Sequence, residues 1–161
     1  MSLSPRFALL ASLVAASLTL PALAAEYSCP DLGQAGPVNS CPGEEELRYT
    51  YTGFCSDNSK VYGKETDACP RYEDYRAMKN TVLWESRDGA FSGYVSCDMQ
   101  PEQLAGVRAS SMQVVKQGTL TKLVCSYPRG ISLSLRTKGS CTIQDSPACA
   151  ADTSACRAIC D

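Results

Sequence analysis

The chain has 161 residues, a formal net charge of −2 and no histidine. The missing imidazole excludes Ser-His-Asp and Cys-His catalysis and the H-E-x-x-H zinc site. The slight acidic excess argues against a sequence-independent grip on nucleic acid or anionic lipid, which needs clustered Lys and Arg.

Residues 1–24 read as a signal peptide. Arg6 supplies a positive n-region, Phe7 to Leu20 an apolar h-region, and Ala22-Leu23-Ala24 the small residues of a cleavage site. The apolar run ends at Pro21 and is short for a transmembrane span. Residues 25–161 are then expected to form a single disulfide-rich secreted domain, periplasmic or extracellular, with no membrane anchor after cleavage. Removing Arg6 leaves 14 basic against 17 acidic residues, a mature charge near −3.

All ten cysteines fall in that domain: Cys29, Cys41, Cys55, Cys69, Cys97, Cys125, Cys141, Cys149, Cys156 and Cys160. An even count in an oxidising compartment predicts a disulfide framework whose connectivity stays open. Residues 28–45 are dense in Pro, Gly, Asn and Ser and read as loop. Leu47 to Phe54, LRYTYTGF, reads as a strand with Tyr49 and Tyr51 on one face. Residues 55–72 read as a loop that a Cys55–Cys69 bridge could close, and Tyr72 to Met78 as one or two helical turns.

TVLWESRDGAFSGYVSC, residues 81–97, carries a strong hairpin signal at Asp88-Gly89. Pairing about it sets Trp84 opposite Gly93, Val82 opposite Val95 and Ser86 opposite Phe91. Val82, Trp84, Phe91, Val95 and Cys97 then share an apolar face, with Glu85, Arg87 and Ser92 behind them. Pro101 to Val107 is a second short helical candidate. Across 110–141, a turn at Gln117-Gly118 sets Met112 against Leu123 and Val114 against Thr121. A second turn at Pro128-Arg129-Gly130 sets Tyr127 against Ile131, Cys125 against Leu133 and Leu123 against Leu135. After Lys138-Gly139 the segment Cys141-Thr142-Ile143 is expected to extend the same meander.

In the tail, Ser146 reads as an N-cap with Pro147 at the first helical position. If residues 147–160 are helical, Cys149, Cys156 and Cys160 lie within about 40° of one stripe. Such a stripe invites a metal. Zinc, however, wants four ligands and usually a C-x₂₋₄-C knuckle, and only Cys156 and Cys160 approach that spacing. Staples are therefore expected, not ligands. A helical i,i+4 pair is about 5–6 Å apart at Cβ, against roughly 3.8 Å for a disulfide, so Cys156 and Cys160 each need a partner elsewhere. The stripe would bolt the tail to the body of the domain. The expected fold is mainly β: an antiparallel meander, small sandwich or barrel-like sheet, disulfide-stapled, with a short C-terminal helix.

The order of Cys29-Pro30, Trp84, Cys125-Ser126-Tyr127 and Cys141 resembles that of uncharacterised small exported cysteine-containing β-domain proteins of Gram-negative bacteria. The extra N-terminal cysteines and the tail after Cys141 depart from that pattern. The resemblance implies a periplasmic or secreted β-domain and carries over no catalytic residue.

No P-loop, G-x-G-x-x-G or G-x-S-x-G occurs, so no cofactor and no catalytic residue is assigned. A carboxylate pair, Glu85 with Asp88 or Asp67 with Glu73, could still serve a hydrolase. Asp88 reads more simply as a turn residue and Glu85 as part of a polar strand face. Eight tyrosines against three phenylalanines favour recognition, since Tyr and Trp suit interfaces. Tyr49, Tyr51, Tyr62, Tyr72, Tyr75 and Tyr94 are the binding candidates, with Arg129 at a hairpin tip and Arg136 and Lys138 near it. The expected function is an exported, non-enzymatic binding protein, inhibitor- or immunity-like, for a protein or other extracytoplasmic macromolecule. The alternatives are a carboxylate-based hydrolase and a secreted virulence factor.

Overall fold

The structure, a computed structural model, describes residues 24–55 and 71–161. Strand-forming alternation dominates it, and the described residues build two antiparallel sheets, three α-helices and no closed barrel. The strands are β1 (Ala25–Tyr27), β2 (Gly36–Pro37), β3 (Thr81–Glu85), β4 (Ser92–Ser96), β5 (Ser111–Gln117), β6 (Leu120–Ser126), β7 (Ser132–Thr137), β8 (Cys141–Gln144) and β9 (Arg157–Cys160). The helices are α1 (Glu44–Cys55), α2 (Tyr72–Lys79) and α3 (Ser146–Ala151). The larger sheet runs β2-β3-β4-β7-β6-β5, the smaller β1-β9-β8.

The β3–β4 hairpin forms in the expected register, with Val82 opposite Val95 and Trp84 opposite Gly93. Its turn is closed by Asp88, which accepts from the Ser86 hydroxyl at 2.5 Å and from the Ala90 N–H at 3.1 Å. The β6–β7 pair also forms as expected, with Cys125 opposite Leu133 and Leu123 opposite Leu135. The β5–β6 pair does not. Met112 faces Cys125 and Val114 faces Leu123, two residues from the expected register. The turn is Gly118-Thr119, not Gln117-Gly118. Gly118 takes a φ of 61°, which suits glycine at the first central position of a type II′ hairpin. Because the slip is two residues, every side chain keeps its face.

Cys141 to Ile143 leaves the meander. β8 pairs with β9 in the smaller sheet, Cys141 opposite Cys160 and Ile143 opposite Ala158. β9 pairs in turn with β1. The core lies between this small sheet and one face of the large one. It joins Val82, Trp84, Phe91, Val95, Leu123, Cys125, Leu133 and Leu135 to Cys149, Cys156 and Ala158, with Leu32 and Leu104 from connecting segments.

The expected strand at LRYTYTGF is instead the body of α1. Three glutamates in its first turn favour the positive helix end, and Glu44 pairs with Arg48 one turn on at 3.0 Å. Thr50 and Thr52 donate back to the carbonyls of Glu46 and Arg48, which satisfies the hydroxyls inside a helix. α1 packs against α2 through aromatic rings. Tyr51 meets Tyr72 and Tyr75, each at 5.3 Å between centroids, and Phe54 meets Tyr75 at 5.4 Å. Helical geometry sets residues two apart on opposite sides, so Tyr49 and Tyr51 do not share a face.

The tail is also not one long helix. Asp145, not Ser146, caps α3, accepting from the Ala148 N–H at 3.3 Å. The helix stops at Ala151, since Asp152 is extended and caps a one-turn 3₁₀ segment, and the chain then runs into β9. The cysteine stripe therefore never forms. Cys156 and Cys160 do not bridge each other, as expected: Cys149 bridges Cys156 inside the tail, and Cys141, at the start of β8, bridges Cys160. Packing of Cys156 and Ala158 and pairing of β9 with β1 hold the tail to the body, and the Cys141–Cys160 bridge ties its end to β8. Two further bridges tie the N-terminal loops to the large sheet: Cys29–Cys125 and Cys41–Cys97. The expected Cys55–Cys69 closure and Tyr62 involve residues 56–70 and lie outside the described residues.

Candidate binding face

The large sheet uses one face for the core and leaves the other uncovered among the described residues. Alternation assigns that outer face: Thr81, Leu83 and Glu85 on β3, Ser92, Tyr94 and Ser96 on β4, Ser132, Ser134 and Arg136 on β7. β6 adds Lys122, Val124 and Ser126, and β5 adds Gln113 and Val115. Register makes continuous rows of them. One runs Glu85, Ser92, Ser134, Val124, Gln113. Another runs Arg136, Lys122, Val115.

Tyr94 stands out on this face, 70% exposed and directly opposite Leu83. Beside it lies a shallow groove of about 450 Å³. The sheet supplies its floor through Thr81, Leu83 and Tyr94. Its rim includes Pro42, with Glu46 from α1 and Lys79 from α2. The Cys41–Cys97 bridge fixes the loop that forms one wall. Strand β4 is held tightly to β7: a Cβ on Gly93 would lie 2.0 Å from the Ser132 carbonyl oxygen. Tyr94 thus rides on a backbone with little freedom to move.

The other aromatic candidates do not join Tyr94 in one face. Tyr75 is buried, and Tyr51 and Tyr72 are half-buried partners in the α1–α2 contact. Tyr72 donates to Glu44 at 2.8 Å, and the Arg48 guanidinium lies 4.6 Å from its ring centroid. The bond from Tyr72, and then the Arg48 and Arg76 charges, hold the Glu44 carboxyl below its usual range. Arg76 also reaches Asp98 at 3.2 Å, which accepts from Asn80 at 3.0 Å as well. These groups tie the helix pair to the end of β4. Tyr49 is 82% exposed on the far side of α1. Arg129 sits in the β6–β7 turn with a φ of 63°. It lies at the opposite end of β7 from Arg136, more than about 14 Å along the strand. The expected cluster of Arg129 with Arg136 and Lys138 therefore does not form.

Among the described residues no group of three His, Cys, Asp or Glu side chains could hold a metal ion. Asp88 serves its turn, and the bonds from Ser86 and Ala90 keep its carboxyl below the usual value, the wrong direction for a general acid. Asp67 lies outside the described residues. Sequence reasoning missed Leu83 and the Lys122–Arg136 pair. The same alternation that put Glu85 and Arg87 outward also puts Leu83 there, next to Tyr94, and that signal was legible.

No protein-family model, curated protein or solved structure matches this chain. The four described bridges suit an oxidising compartment. No described helix is long and apolar enough to cross a membrane.

Proposed function

We propose that this protein is a non-enzymatic binding protein, periplasmic or secreted, that docks a macromolecular partner on the open face of its large sheet. Inhibition of an exported enzyme and immunity against a toxin are concrete forms of that role. The observation that carries the reading is Tyr94, 70% exposed beside Leu83 on an uncovered sheet. A tyrosine presents a large amphipathic contact area, with few torsions to freeze on docking. The sheet beneath it is fixed by a packed core and by bridges, so little ordering entropy is lost on association.

Site-specific photo-cross-linking tests the reading. A photoreactive phenylalanine analogue placed at position 94 is expected to capture one discrete macromolecule in the native compartment. The same analogue at Glu102, exposed but off the face, is expected to capture none of it. Tyr94→Ser should abolish that partner's binding while changing stability by less than about 0.5 kcal/mol, as an exposed site would. Equal capture at both positions, or none at 94, would remove the proposal.

A further inference from the structure

The row Val115, Lys122, Arg136 contains an anomaly. Lys122 and Arg136 are register partners on adjacent strands and point to the same uncovered face. Like charges set directly across a sheet repel and destabilise it. Sheets ordinarily place an acid in such a row, and this one does not. Among the described residues neither cation has a carboxylate within ion-pair distance. The single acid on the described outer face, Glu85, is two strands from Arg136 and three from Lys122. At about 4.8 Å per strand, that is roughly 10 Å and 14 Å across the sheet alone, with a further two residues of offset along the strands. The whole chain is net negative, at −2, yet this patch is positive.

The surroundings of the pair are aliphatic. Val115, 42% exposed, is the register partner of Lys122. Val124 follows two residues along β6, with Ser134 across from it. Only one aromatic ring lies on the described face, Tyr94, which is too few for a stacked sugar chain. Alternating short apolar and hydroxyl groups around two cations match a protein surface, whose carboxylates sit among aliphatic side chains.

Building on the docking face proposed above, we infer that its partner is an acidic protein, whose carboxylates neutralise the Lys122–Arg136 pair while its apolar groups cover Val115, Val124 and Leu83. The uncompensated repulsion in the free protein is relieved on binding. Electrostatic complementarity of this kind sets partner choice and association rate more than total affinity.

The test titrates the oxidised, isotope-labelled protein with a short synthetic peptide that alternates glutamate with valine. Amide shifts are expected at 113–115, 122–124 and 134–136, weakening as salt is added. K122Q/R136Q is expected to weaken binding about tenfold, with K122E/R136E as a stronger version. Silence at these amides, equal binding of a lysine–valine peptide, or tighter binding of polygalacturonate at equal carboxylate concentration would overturn the inference. If the peptide fails while position 94 still captures a partner, the docking face stands and the acidic occupant falls. If both fail, the docking face falls as well.

Discussion

The Tyr127 hydroxyl donates at 2.7 Å to the Pro30 carbonyl, 97 residues away in sequence. The ring is buried, and the Asp31 carboxylate lies near enough to act on it. Burial first, and then that negative charge, raise the phenol pKa above its ordinary 10.0. The folded state therefore holds the proton more tightly than the unfolded chain. The stabilisation this residue gives is complete below the ordinary value and drains away as pH climbs through the folded one. Tyr127→Phe is expected to cost about 1 kcal/mol near neutrality, for the lost hydrogen bond. The same variant should lose less stability than the wild type between neutral and strongly alkaline pH. Urea unfolding followed across that range checks both, and an unchanged alkaline slope would place the titration elsewhere. At the same scale, Arg129 holds a left-handed backbone that an L side chain adopts at some cost, and the Pro128–Gly130 turn imposes it.

The elements divide by where their decisive information lies. β3 and β4 were legible because Asp88-Gly89 names the turn and alternation names the face. β6 and β7 were legible for the same reason, around Pro128 to Gly130. α1 was not, because its Tyr-Thr alternation imitates a strand. What selects the helix is the contact with Tyr72 and Tyr75, which lies far along the chain, and the Glu44 to Arg48 spacing was the local signal overlooked. The β5–β6 register slipped because Gly118 serves as the first turn residue and not the second. Of the site, Tyr94 was legible. The Lys122–Arg136 pair was legible as well, since the expected Leu123–Leu135 register already sets these two residues opposite each other, and the tyrosine set dissolved when α1 became a helix. The bridges are the elements whose pairing no spacing rule decides. Their loops differ widely, with a sequence separation of 96 for Cys29–Cys125 and 7 for Cys149–Cys156. Loop-closure entropy gives about 4.7 kcal/mol for the first and about 2.4 kcal/mol for the second. Replacing both cysteines of each pair by alanine, one pair at a time, should rank the unfolding free energies in that order. Equal losses would mean that contacts around the sulfurs outweigh chain entropy.

For the whole molecule the same arithmetic becomes decisive. The four described bridges together restrict the unfolded chain by on the order of 10 kcal/mol. Domains of this size have a net stability of about 5–15 kcal/mol. Full reduction without denaturant is therefore expected to unfold the protein, with loss of its β circular-dichroism signal and of any binding at position 94. A reduced chain that keeps its sheet signal would show that packing alone suffices.

Strand β1, at the start of the described chain, pairs with β9 at its end, Ala25 opposite Cys160. During synthesis this strand must wait for Arg157–Cys160 before it meets its neighbour. Neither the small sheet nor the core it covers can be completed on a partly made chain. Assembly of the small sheet is thus postponed until β9 has been made.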